Sequence, residues 1–234
     1  MTTRELGAKR RNKGTKYFFL GAGGGGKSTA AMLFASTILA RGVPLRLYDM
    51  DPGTPTLRRY CTDLIDDDQI LFDDDPSEVV DFLEETVFGT DEDAVVDAGA
   101  NLEASILRWT ADRGAARADS MRFIIVVGKK DGVSAASRIH ENARGVPTLL
   151  LYNEGGRRFA RIARATEIYQ GLLADGVPEA VLPLLGRTLE VIHETSVRPD
   201  RMLLDSNLFA KQGATSLIRT VEGVFAAHPD FRPW

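Results

Sequence analysis

Lys27, Ser28 and Thr29 stand directly behind four consecutive glycines in "GAGGGGKST", residues 21–29. One ammonium, two hydroxyls and a stretch of bare backbone suit a polyphosphate. Glycine takes the dihedrals that turn successive N–H groups inward around phosphate oxygens. A helix opening at this point adds positive potential. Residues 21–28 fit G-x-x-x-x-G-K-[ST] in full. In that pattern Gly23, Gly24, Gly25 and Gly26 form the cradle, with Thr29 beside them in the nucleotide-binding set. Lys27 reaches the β- and γ-phosphates and Ser28 is a ligand for Mg²⁺.

Acids follow where such a loop needs them. Asp49 and Asp51 come after the apolar stretch "PLRLY", and Asp97 comes after "AVV". Mg²⁺ takes oxygen ligands, often through water, and an acid at a strand end near the loop is the usual provider. A second acid can orient the attacking water. Each aspartate alone reads equally well as a turn or helix cap; with the loop, the three form a site.

These residues need elements to hold them. Short apolar runs predict strands at 16–21, 44–51, 93–99, 122–128, 147–153 and 180–186. Helical patterns between them cover 27–41, 77–88 (opened by Ser77), 101–117, 132–144, 156–171, 187–195 and 212–227, while the acidic stretch 61–75 reads as a loop. Alternation with continuous apolar strands predicts an α/β fold: a mostly parallel, twisted sheet with helices on both faces. Ligands of such sheets sit at the carboxyl ends of the strands, where the aspartates and the glycine loop fall.

"GGGGKST", then about twenty residues on "LYDMDPGTPTL", then "AVVDAGA", together resemble the ParA/MinD family of deviant Walker P-loop ATPases. The similarity runs in order over residues 17–186 and is sharpest before residue 100. The segment D-x-D-P-x-x-x-T-L brings the chain nearest to the small plasmid proteins of partition, stability, mobilisation and conjugative transfer. The resemblance implies a P-loop NTPase fold and a nucleotide-dependent switch using ATP and Mg²⁺. It places Asp49 near the metal, Asp51 on the attacking water, Asp97 as the Walker B acid and Asn153 near the adenine. Lys27 and Asp51 are then the catalytic pair, with Ser28, Asp49 and Asp97 the metal set. "VLPLLGR" resembles the family's loop that closes on the base.

One position departs from that family. Its loop carries a second lysine, which reaches across a dimer interface to the partner's phosphates; here Ala22 stands in its place. A supplied cation of this kind can be worth ~10³–10⁵ in rate. Three outcomes stay open: another cation replaces it, hydrolysis is slow, or the sandwich dimer does not form. A slow ATPase that still forms a nucleotide-dependent homodimer is the expectation, beside a non-hydrolysing interaction protein or a small-molecule kinase or synthetase on the same fold. "GKKD" at 128–131 follows a strand where G proteins carry their guanine motif, but its first residue is wrong, and Asp131 reads equally as a helix cap. ATP is therefore expected over GTP.

Arg157, Arg161 and Arg164 lie at i, i+4 and i+7 on one helical face, with Ile162 and Ile168 on the packed side. Such a row suits a phosphate backbone and makes non-specific DNA a candidate partner, with an unidentified protein as another. Residues 1–15 read as a basic, disordered arm and 16–234 as a single domain. Net charge is −4, yet residues 60–107 hold 16 of the 33 acids and no Lys or Arg. That segregation can guide a polyanion to one face. The single cysteine, Cys61, excludes an internal disulfide, and no apolar run suits a signal or a membrane span. A cytoplasmic location is expected. Leu217, Ile218, Val221, Val224 and Phe225 read as core rather than a membrane anchor, as does Trp109.

Overall fold

Near-continuous apolar segments demand cover on both faces, and the computed structural model, which describes residues 14–143, 145–156 and 158–234, supplies it. Six strands, β1 (Lys16–Leu20), β2 (Arg46–Met50), β3 (Ala94–Ala98), β4 (Met121–Val127), β5 (Thr148–Asn153) and β6 (Glu179–Leu182), form one sheet. Their order is β2-β3-β1-β4-β5-β6, and every pairing is parallel. The helices are α1 (Lys27–Ala40), α2 (Thr56–Tyr60), α3 (Pro76–Asp81), α4 (Glu103–Asp112), α5 (Asp131–Asn142), α6 (Arg158–Arg164), α7 (Glu167–Ala174), α8 (Gly186–Thr195), α9 (Pro199–Met202) and α10 (Leu208–Phe225).

Strand alternation sorts the core into two layers. Phe18 and Leu20 of β1 enter a core closed by α3 to α7. Tyr17 and Phe19 enter the other, closed by α1, α2 and α8 to α10. Helix α1 is apolar nearly all round and is buried accordingly. Phe34 anchors it: its ring lies 5.1 Å from Tyr17, 5.5 Å from Phe19 and 4.8 Å from Phe225 between centroids. This packing fixes the helix whose first residue is Lys27. The apolar face of α10 is core as expected, with Leu217, Ile218, Val221 and Phe225 buried, and Trp109 is buried with its indole N–H donating to Glu84.

The acidic stretch 61–75 is a loop with a job. Ile70 bridges to Asp49 of the edge strand, the Leu71 N–H donates to the Asp49 carbonyl at 3.0 Å, and Gln69 Nε2 donates to the Leu47 carbonyl at 2.9 Å. Its apolar residues Ile65, Ile70 and Leu71 are buried while its carboxylates face water, so it covers an otherwise open sheet edge. Arg198 pins the loop from α9. Its guanidinium is 2% exposed, is bidentate to Asp200 at 3.0 and 3.1 Å, and also bonds Asp63. Arg198→Met is expected to lower stability by about 3 kcal/mol, because the largely buried Asp200 carboxylate loses its counter-charge. A fall in the urea midpoint without a change in slope would show it; an unchanged midpoint would contradict it.

Local chemistry corrects several boundaries. The helix expected from Ser77 starts at Pro76, with Asp75 as the cap, its carboxylate accepting from Ser77 N–H at 2.8 Å. After Asp81 it widens into a π-helical turn, Phe82–Val87. The helix expected at 156–171 is two helices, because Thr166 opens α7 by accepting from Tyr169 N–H. Ala163 and Tyr169 face the core there, and Ile162 and Ile168, expected on the packed side, are 40% and 48% exposed. The helix expected at 212–227 begins at Leu208, capped by the Asn207 side chain. Helices α2 and α9 had no expectation at all. No helix among the described residues is long and apolar enough to cross a membrane.

Candidate nucleotide-binding site

The glycine loop joins the end of β1 to the start of α1, between the carboxyl ends of β3 and β4. Gly24 and Gly26 have φ of +66° and +92°, a region that favours glycine. Neighbours crowd both positions: a Cβ on Gly24 would press on the Lys129 ammonium, and one on Gly26 on Asn153 Nδ2. Gly26 caps α1 with no side-chain acceptor, and no acid stands in the first turn. The free N–H groups at this end suit an anion.

Lys27 is 7% exposed, and its ammonium donates one long bond, 3.4 Å, to the Ala22 carbonyl. Burial lowers its pKa, against the pull of Asp97, Asp51 and Glu103, and Lys129 lowers it further. Asp97 ends β3, paired in register with Phe19 on one side and Asp49 on the other. It is fully buried, and neither carboxylate oxygen has a hydrogen-bond partner. Burial pushes it up to about 7; Asp49 and Asp51 push the same way, and the nearby Ser28 hydroxyl and Lys27 pull against them.

Asp49 is also fully buried, but its oxygens are engaged: Oδ1 accepts from Asp51 N–H at 3.2 Å and Oδ2 from Arg58 N–H at 2.8 Å. Burial still lifts it to about 6. Asp49, expected in the metal set, thus has both oxygens engaged by backbone and shapes the turn into α2 that carries Asp51. Asp51 is half-buried, and its carboxylate accepts from Thr54 N–H at 3.1 Å. Among the described residues no group of His, Cys, Asp and Glu forms a metal cage by itself. The orphaned Asp97 carboxylate beside Ser28 fits Mg²⁺ that arrives with phosphate oxygens, because such ions keep waters and take only one or two protein ligands.

A cavity of about 340 Å³ opens from Gly24, Gly25, Gly26 and Thr29 toward the segment after β6. Asn153 stands between the two. Its Nδ2 donates to the Gly25 carbonyl at 3.0 Å and its Oδ1 accepts from Gly155 N–H at 3.0 Å. The far wall is apolar, with Leu182, Pro183, Leu184 and Leu189. This size and lining suit a nucleoside. Asp131 is not in the wall; it lies in the first turn of α5, where an acid favours the helix dipole. The structure thus gathers Gly23 to Gly26, Lys27, Ser28, Thr29, Asp51, Asp97 and Asn153 at one end of the sheet, with Asp49 behind them.

Sequence reasoning missed two contributors. His193 lines the cavity and contacts the Tyr60 hydroxyl, tying α8 to α2. Lys129 reaches back from the end of β4, its Nζ donating to the Gly23 carbonyl at 2.8 Å. Only the adjacency of β1 and β4 could have flagged it. Of the expected arginine row, Arg161 and Arg164 lie on α6. Arg157 and residues 1–13 lie outside the described residues. Arg161 is exposed, whereas Arg164 pairs with Glu179 and lies over the Tyr152 ring at 5.0 Å.

The architecture recurs in a solved structure. A chain of the MinC:MinD cell division protein complex of Aquifex aeolicus superposes with a TM-score of 0.52 at 14% identity, over 89% of this chain and 96% of that one. FtsY of Mycoplasma mycoides aligns at a TM-score of 0.42 and 16% identity, over 74% of this chain and 61% of that one. No protein-family model and no curated protein matches the sequence. The parallel α/β fold is thus shared with the Aquifex aeolicus chain.

Proposed function

We propose that this chain, built on the P-loop NTPase fold, binds Mg-ATP, hydrolyses it slowly and works as a nucleotide-dependent switch. The observation that carries the reading is the buried, unpartnered Asp97 carboxylate behind the lysine of a glycine loop, from which a nucleoside-sized cavity opens. The backbone of the loop and the start of α1 hold the phosphates, and Lys27 balances their charge. Ser28 and Asp97 hold the metal, whose charge, when it is bound, offsets that of the phosphates. Asp49 fixes the turn that sets Asp51 beside the reacting phosphate, where it orients a water. ATP is favoured over GTP because Asp131 stands in the first turn of α5 and does not line the cavity.

The finer reading is a switch for plasmid or cargo partition or conjugative DNA transfer, supported by the D-x-D-P-x-x-x-T-L segment. A nucleotide-dependent homodimer and a protein partner belong to it; the similar Aquifex aeolicus chain comes from a complex of two proteins. Non-specific DNA would meet Arg161 and the basic arm. Ala22 favours a second reading, a protein that holds nucleotide without turning it over.

Hydrolysis of ATP and GTP, with and without Mg²⁺ and DNA, tests both. Turnover on the order of 10⁻³–10⁻² s⁻¹, the scale of P-loop proteins acting without a partner protein, is expected for ATP and only with Mg²⁺. DNA that raises the rate would support the finer reading. Tight binding without turnover would select the second, and no binding of either nucleotide would end both.

A further inference from the structure

We propose that Lys129 is the second phosphate cation of this site, supplied in cis from the end of β4. The inference rests on the nucleotide reading above and names a residue that completes it. Strand β4 lies beside β1, so its carboxyl end runs up against the glycine loop. Lys129 follows that end by two residues and folds over the loop. Its Nζ donates to the Gly23 carbonyl at 2.8 Å and lies against Gly24, where a Cβ would be 2.4 Å away. Lys130, next to it, is exposed to solvent.

The position is poorly explained as structure alone. Among the described residues Lys129 has no carboxylate partner and a single carbonyl acceptor. Lys27 in turn has only the distant Ala22 carbonyl. Two ammonium groups bonded to the carbonyls of adjacent loop residues, Ala22 and Gly23, repel one another, and an anion seated on the loop relieves that repulsion. A triphosphate is such an anion. Position 22, the loop's other candidate for a cation, is alanine.

The chemistry asked of Lys129 is charge stabilisation. The γ-phosphorus exchanges its bond to the bridging oxygen for a bond to water. The bridging oxygen leaves on ADP with the electron pair, and the water proton passes to solvent. Negative charge on the transferring group and the bridging oxygen is what an ammonium at this place would balance. Because the lysine belongs to the same chain, the rate per molecule does not depend on bringing in a second subunit.

Lys129→Met keeps the length and loses the charge; Lys129→Arg keeps the charge. Affinities for ATP and ADP are measured by calorimetry, and hydrolysis is followed over a hundredfold range of protein concentration, with melting curves to confirm folding. For Lys129→Met the expected result is a loss of ATP affinity of about tenfold, a smaller loss for ADP and a fall in turnover of about 10²-fold. Lys129→Arg is expected to stay within a few-fold of wild type. Equal losses for ATP and ADP would mean a brace for the loop and would overturn the proposal, as would wild-type behaviour of Lys129→Met. A wild-type rate that grows with protein concentration would overturn supply in cis. A wild type that binds ATP normally while Lys129→Met changes nothing leaves the nucleotide reading standing; a wild type that binds neither nucleotide removes both.

Discussion

Lys27→Ala is expected to remove ATP binding and hydrolysis while leaving the fold in place. The lysine is held at the first position of α1, and α1 is held by Phe34 and its aromatic neighbours rather than by anything Lys27 does. Its single long bond to the Ala22 carbonyl contributes little to folding. Alanine is the better helix former, and the buried ammonium is a desolvated charge whose removal offsets the loss of attraction to Asp97. The melting temperature should therefore move by only a few degrees. Function has no such compensation. Without Lys27 the phosphates lose the cation at the helix start and keep the backbone N–H groups and the metal, so hydrolysis should fall by at least about 10³-fold and ATP affinity by about 10²-fold. Calorimetric titration with Mg-ATP decides it. Affinity within threefold of wild type, in a folded variant, would mean that the loop is not a phosphate site.

The frame of this site is legible in the sequence. Strands β1 to β5 were read within two residues at each end, because a buried parallel strand is a plain apolar run. Strand β6 stops at Leu182, ahead of Pro183, and the expectation had carried it through the apolar "PLLG" beyond. The loop, the aspartates and Asn153 were legible because their chemistry follows strand ends. Two kinds of feature were not. Some are decided by one cap: Thr166 breaks a helix whose periodicity runs straight through it, and with that break Ile162 and Ile168 turn outward. Others depend on contact between distant segments. Lys129 lies 106 residues from Gly23, and its own neighbourhood reads as an imperfect guanine motif. The strand order that brings the two together is not written in either segment.

Asp97→Asn is expected to stabilise the nucleotide-free protein at pH 8 and to weaken its use of Mg²⁺. Burial, helped by Asp49 and Asp51, raises the Asp97 carboxyl from an ordinary value near 3.8 to about 7, with Ser28 and Lys27 opposing. The folded state thus holds this proton more tightly than the unfolded chain does. Below pH 4 both states are protonated and the group contributes nothing. Between about pH 4 and 7 the unfolded chain ionises first, so stability falls as pH rises; above 7 the penalty is complete. Asp49, raised to about 6, adds to the same slope over the lower part of that window. Asparagine removes the charge and leaves the slope to Asp49. With no partner on either oxygen of the native carboxylate, the gain at pH 8 should be about 2 kcal/mol, or roughly 4–8 °C in melting temperature, and should shrink toward zero at pH 4. With Mg-ATP the order should reverse, since the wild-type carboxylate then has a cation to face and the amide does not. Melting curves from pH 4 to 8, with and without Mg-ATP, separate the cases. If Asp97→Asn is less stable than wild type at pH 8 without nucleotide, the buried carboxylate has a partner that holds the fold. The metal role argued from its isolation would then fall.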